Sequence, residues 1–231
     1  MTQFHSAAPA SVAARAGELV LLVIFATIFG VAAAFGLQEA GAVEPRFEPL
    51  CILAATLPAA PLARACTGRH PATLISAEKR IRWACVGRAL AVTVCVYAVA
   101  TVASLESPML GWGAFVALCG IVALQTAAEE LVFRAALPQI LGGLCAPLAY
   151  GLPALGFVAL HTGGAGTLAD VAVFAACAAW LTWRTRGIEA AWVLHLVGNV
   201  WVLAASISEG PWGTVSTVVA TALIGVFSPR R

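Results

Sequence analysis

Eight apolar stretches without a charged side chain, at residues 19–37, 50–63, 89–105, 110–128, 135–160, 171–183, 190–208 and 211–229, make up most of this chain. A segment in lipid must satisfy its own backbone hydrogen bonds, so only helices and closed barrels cross a membrane. Barrel strands alternate apolar and polar residues over ~10 positions, whereas these stretches are continuous. The fold class they predict is all-α, a polytopic membrane helical bundle of about eight transmembrane helices. A spanning helix takes ~20 apolar residues, so the second and sixth stretches must borrow flanking residues. Pro58 and Pro61 weaken the second further, which leaves seven as the alternative count. Only 24 of 231 side chains are Lys, Arg, Asp or Glu, and mean hydropathy is +0.93, which excludes an ordinary soluble domain.

Loop charges test this topology separately, since Lys and Arg accumulate in short cytoplasmic loops. With eight spans and the N-terminus inside, the inner segments collect Arg15, Arg64, Arg69, Lys79, Arg80, Arg82, Arg88, Arg184, Arg186, Arg230 and Arg231. The outer loops hold Arg46 with Glu39, Glu44, Glu48, Glu106, Asp170 and Glu209. The expectation is one integral membrane domain over 1–231, multi-pass, with both termini cytoplasmic. Arg15 before an apolar run resembles a secretory signal, but 19 uncharged residues suffice for a retained anchor. Membrane lipid is the implied surrounding. A net charge of +2 without a basic block interleaved with aromatics gives no reason to invoke nucleic acid. Seven scattered cysteines without a C-x-x-C pair read as packing residues. His5 and His70 fall in expected polar ends and carry no assigned role.

Against this background, Glu129-Glu130-Leu131-Val132-Phe133-Arg134 interrupts an apolar region with three ionisable groups. Such groups at membrane depth are expensive and mark functional sites by default. On a helix, Glu130 and Arg134 stand at i, i+4 in the favourable order for a pair, which leaves Glu129 as a general-base candidate. His161 follows an apolar run, and His195 and Asn199 share a helix face at i, i+4. Singly, each has a structural explanation: a fold-fixing ion network, a helix-end histidine, an interhelical hydrogen bond. Together they supply a proton acceptor, two imidazoles and an amide donor, the groups that peptide hydrolysis uses.

Glu-Glu-x-x-x-Arg at 129–134, Phe-x-x-x-His at 157–161 and His-x-x-x-Asn at 195–199 resemble the three signatures of the CPBP family of intramembrane proteases, which includes CAAX prenyl endopeptidases and bacterial relatives. The motifs occur in order within 129–199; Ala135 stands where relatives often have glycine. The resemblance implies an intramembrane endopeptidase of a bacterial cytoplasmic membrane, acting on a membrane-anchored protein or peptide. It implies Glu129 as the base that activates water, His161 and His195 positioning it, Asn199 with His195 stabilising the oxyanion, and Glu130 and Arg134 supporting the site. Metal-free glutamate chemistry is the preferred expectation, since no His-Glu-x-x-His helix is present; zinc at Glu129, His161 and His195 is the alternative. A proton-coupled transporter would need a repeat of these groups in residues 1–110, and none is visible. A non-catalytic scaffold or immunity factor is the other alternative. The three motifs also need a common depth, which requires helix tilt, a re-entrant turn at 163–166, or a fourth helix that continues past Pro138.

Overall fold

The structure is a computed structural model and describes residues 3–6, 8–41, 44, 47–104, 112–205 and 211–228. Arg46, Glu106, Glu209, Arg230 and Arg231, which entered the loop-charge argument, lie outside the described residues. The elements are helical: α1 (Val12–Ala40), α2 (Glu48–Ala55), α3 (Ala59–Cys66), α4 (Trp83–Ser104), α5 (Trp112–Glu130), a π-helical turn at Leu131–Ala136, α6 (Leu137–Ile140), α7 (Ala146–Ala159), α8 (Ala165–Thr185), α9 (Glu189–Ala205) and α10 (Trp212–Phe227). The chain is a polytopic helical bundle. Among the described residues the nearest thing to a strand is one antiparallel bridge, Ser76 with Gly187.

α1 starts where Ser11 accepts a hydrogen bond from the Ala14 N–H at 3.1 Å and stops where Gly41 turns left-handed at φ +57°. Both are the expected end signals. The second apolar stretch is broken by Thr56–Pro58 into α2 and α3, which together form one candidate crossing, Glu48–Cys66. Including this one, five segments among the described residues are long and apolar enough to cross a membrane, and α7, α9 and α10 are shorter apolar helices.

The stretch at 135–160 is not a single span. The helix bearing Glu129 and Glu130 runs on through the π turn to Ile140, and a new helix begins at Ala146. The break falls at Gly142-Gly143, where a side-chain carbon on Gly142 would lie 2.4 Å from the His5 carbonyl oxygen. Pro147, at the first turn of α7, suits a helix start. Continuation past Pro138 is thus the arrangement that the chain adopts.

Basic segments distant in sequence meet at one end of the bundle. Arg82 forks onto both carboxylate oxygens of Glu189 (2.8 and 2.6 Å) and donates to the Thr185 carbonyl. Arg184 donates to the Ser228 carbonyl, and Arg69 reaches the Ala8 carbonyl. Arg64, counted in the sequence as an ordinary loop charge, is fully buried. Its Nε donates to Glu18 Oε1 (2.7 Å), and its Nη1 donates to Thr73 Oγ1 (2.8 Å) and Gln139 Oε1 (2.6 Å). Glu18 also pairs with Arg69. This network joins α1, α3, the Pro71–Leu74 turn and α6, so it holds the far end of the helix that carries the acids.

His5 departs from the expectation of a polar, unengaged end. It is buried, packed edge-on against Tyr150 with ring centroids 5.5 Å apart. His70 instead caps the Pro71–Leu74 turn, its Nδ1 accepting from the Ala72 N–H at 3.2 Å.

Two outcomes are expected. Removing one member of a buried ion network leaves its partners uncompensated and costs ~3–5 kcal/mol, so Arg64→Met should sharply lower the thermal unfolding midpoint in mild detergent. Burial holds the His5 imidazole below its ordinary value, so the fold favours its neutral form. That contribution is fully present above the unfolded value of ~6.5 and is lost as pH falls below it. The midpoint should therefore drop on acidification, and His5→Leu should flatten that drop.

Candidate active site

Two antiparallel helices set the site. Along α5, Gln125 precedes Glu129 by four residues; along α9, His195 precedes Asn199 by four, so each pair lies one turn apart on a shared face. Asn199 Nδ2 meets Gln125 Oε1 at 3.4 Å, and one turn along, His195 meets both acids. This register brings Glu129, Glu130 and His195 to a common depth, with Asn199 one turn away beside Gln125. Trp192 Nε1 donates to the Ala123 carbonyl at 3.1 Å and ties the two helices together on the same side.

Glu130 is fully buried and engaged twice: its Oε1 accepts from His195 Nδ1 at 2.8 Å and lies 3.2 Å from Arg134 Nη1. A carboxylate can only accept, so this bond puts a proton on Nδ1 and turns Nε2 toward Glu129, whose Oε2 is 3.4 Å away. The side chain of Glu129 is 12% exposed, against 0% for Glu130. Adjacent residues on a helix diverge by about 100°, and the two acids accordingly occupy different environments.

The π turn makes this possible. The Leu137 N–H bonds to the Val132 carbonyl, five residues back, so the turn is widened by one residue ahead of Pro138. Proline lacks an N–H and its ring crowds the carbonyl four residues back, here that of Arg134. The wider turn accommodates the ring without ending the helix, and such turns recur at functional sites.

An aromatic wall closes the site. The Arg134 guanidinium lies over the Phe157 ring at 4.2 Å and near that of Phe174 at 5.2 Å. The His195 ring is 4.4 Å from Phe174 and 5.9 Å from Phe157, centroid to centroid. These contacts keep water from the Glu130–Arg134 pair and add cation–π attraction. His161 sits apart, at the end of α7. Its Nδ1 bonds to the Phe157 carbonyl at 2.8 Å and its ring packs 4.5 Å from the Phe157 ring. It reaches the centre through Phe157, and no hydrogen bond or ion pair joins it to Glu129 or His195 among the described residues.

That placement bears on zinc. Among the described residues no three His, Cys, Asp or Glu side chains come close enough together to hold a metal ion. Glu129, His161 and His195 therefore do not fit a three-ligand zinc set.

The family model described as Type II CAAX prenyl endopeptidase Rce1-like matches residues 111–201. These residues are similar to an Rce1-like domain. No curated protein and no solved structure matched the chain. The Rce1-like domain covers every residue of the site, from Gln125 to Asn199, and leaves α1–α4 and α10 outside. Gln125 was not singled out in the sequence, although Gln-x-x-x-Glu at 125–129 repeats the one-turn spacing of His-x-x-x-Asn at 195–199. Phe174 had no signal of its own, being one apolar residue in an apolar helix.

The different burial of the two acids gives a stability expectation. Glu130→Ala strands Arg134 without a carboxylate in a dry site and should cost ~3–5 kcal/mol. Glu129→Gln should stay within ~1 kcal/mol of wild type, as expected of a group with no dedicated charge partner. Thermal unfolding of the two variants in the same detergent checks this split.

Proposed function

We propose that the chain is an intramembrane endopeptidase that hydrolyses a peptide bond of a membrane-anchored protein or peptide, with Glu129 activating the water. The observation that carries the reading is the chain of contacts Arg134–Glu130–His195–Glu129, in which a buried carboxylate orients an imidazole toward a second, accessible carboxylate. The Rce1-like match at 111–201 supports an intramembrane CAAX-type protease, and with it a prenylated C-terminal CAAX peptide as the first substrate class to test.

In this reading each group has a role. Water held between Glu129 and His195 Nε2 loses a proton to Glu129 as its oxygen attacks the scissile carbonyl carbon. The proton then passes to the leaving amine, which restores the carboxylate. Glu130 fixes the His195 ring orientation, and Arg134 holds Glu130 in place. Asn199, held by Gln125, presents amide hydrogens one turn along from His195, where they stabilise the oxyanion. His161, on the far side of Phe157, positions the substrate strand or the water rather than transferring the proton.

Depth supports cleavage within the membrane, on its basic side. His195 lies six residues into α9, about 9 Å of helical rise from its start at the basic end. That places it on the basic side of the centre of a ~30 Å hydrocarbon core, nearer the mid-plane at ~15 Å than the surface. In this reading the basic end and both termini face the cytoplasm, as the Lys/Arg bias requires.

Purified protein in bilayers, given a fluorogenic prenylated CAAX peptide and its unprenylated counterpart, tests this. Glu129→Ala and His195→Ala should each lower kcat/KM by ~100- to 10,000-fold, and Asn199→Ala by ~100- to 1,000-fold, in variants that retain helicity. Cleavage by a folded Glu129→Ala variant at the wild-type rate would refute the assignment.

A further inference from the structure

Away from the acid–histidine site, a cavity of about 330 Å³ opens at the basic end of the bundle, between the start of α4, the α8–α9 turn and the end of α10. Five guanidinium groups line it: Arg80, Arg82, Arg88, Arg184 and Arg186. Glu78 pairs with Arg80 at 2.7 Å, and Glu189 is held by the Arg82 fork at 2.6 Å. Arg88 and Arg184, the latter bonded to the neutral Ser228 carbonyl, add further positive charge to the lining among the described residues.

The backbone gives a second, independent indication. Arg186 occupies the left-handed C-cap of α8 at φ +59°. Glycine is the unstrained residue at such a position. Here an arginine is held in it, with its side chain at the cavity. Lys79, on the segment leading into the cavity, shares this conformation at φ +57°.

The surroundings say what kind of anion fits. Trp83, 70% exposed, opens α4 beside the cavity, as tryptophans do at headgroup level. Beyond it the outer face of α4 continues with exposed Leu90 and Val94. A headgroup phosphate in the cavity would leave its acyl chains along that apolar face, whereas a soluble anion would use only the arginines. We infer that this cavity binds the headgroup of an anionic phospholipid in the leaflet at the basic end. Basic pockets between membrane helices have this chemistry. The inference is independent of the hydrolytic reading, because its readout is lipid binding.

The test uses the full chain in phosphatidylcholine vesicles containing either bromine-labelled phosphatidylglycerol or bromine-labelled phosphatidylcholine. Quenching of Trp83 is taken as the difference between wild type and Trp83→Phe. Phosphatidylglycerol should quench Trp83 more strongly than phosphatidylcholine. Arg88→Gln and Arg186→Gln should each weaken its apparent affinity ~fivefold, while Arg88→Lys retains most of it. Arg88 is exposed on a helix surface, so its replacement leaves the fold intact. Equal quenching by the two lipids, or a preference that survives both glutamine substitutions, would overturn the site. Loss of the preference on adding inorganic phosphate would place a soluble anion there and overturn the lipid assignment.

Discussion

A carboxylate in a medium without water has to find its compensation among the neighbouring side chains, and the arrangement around Glu130 follows from that need. Its charge is met by Arg134 on the next turn and by the His195 ring across the helix interface. Each partner is then constrained in turn. Arg134 needs cover, which Phe157 and Phe174 provide; His195 needs α9 to lie antiparallel to α5 at one register, and that register also brings Asn199 to Gln125. One buried charge therefore fixes the relative positions of α5, α7, α8 and α9. Glu129 remains the acid with some solvent access, 3.4 Å from His195 Nε2.

The helix that carries both acids is held at two places with different physics. At Glu130 it is fixed by the ion cluster, and nine residues on, at Gln139, by the hydrogen bonds with Arg64 and Thr73. Between them lies the π turn, which absorbs the steric demand of Pro138 by widening the helix rather than kinking it. The Arg64 network thus does more than stabilise the basic end. By locking α1 and α3 to α6, it makes the N-terminal helices a brace for the Rce1-like domain, although they contribute none of the groups in the site.

Much of this was legible in the sequence, for identifiable reasons. Long uncharged runs can only be membrane helices, and ionisable residues inside them stand out against a background of 10% charge. Spacing by four residues then places Glu130 with Arg134 and His195 with Asn199 on shared faces. What periodicity does not encode is the point where a continuous apolar run changes helix. Residues 135–160 carry no charge, and the break at Gly142-Gly143 coincides with a tertiary contact, the close approach of the His5 backbone. The burial of Arg64 and His5 was hidden similarly. A charged or polar residue near a helix end looks solvated until the partners that enclose it, here Glu18, Gln139 and Tyr150, are located in space.

The short helices complete the physical picture. α7, α9 and α10 have 14, 17 and 16 residues, roughly 21–26 Å of rise, less than a ~30 Å hydrocarbon core. A bilayer meets such a mismatch by thinning locally, and the protein meets it by tilting its longer helices. Either response brings the headgroup region closer to His195 and Glu129 than a full-length bundle would. The hydrolytic reading requires this, because a site that consumes water within a membrane must lie close to where water ends. The same shortening keeps the Glu130–Arg134 pair dry behind its phenylalanines while Glu129 keeps its limited exposure.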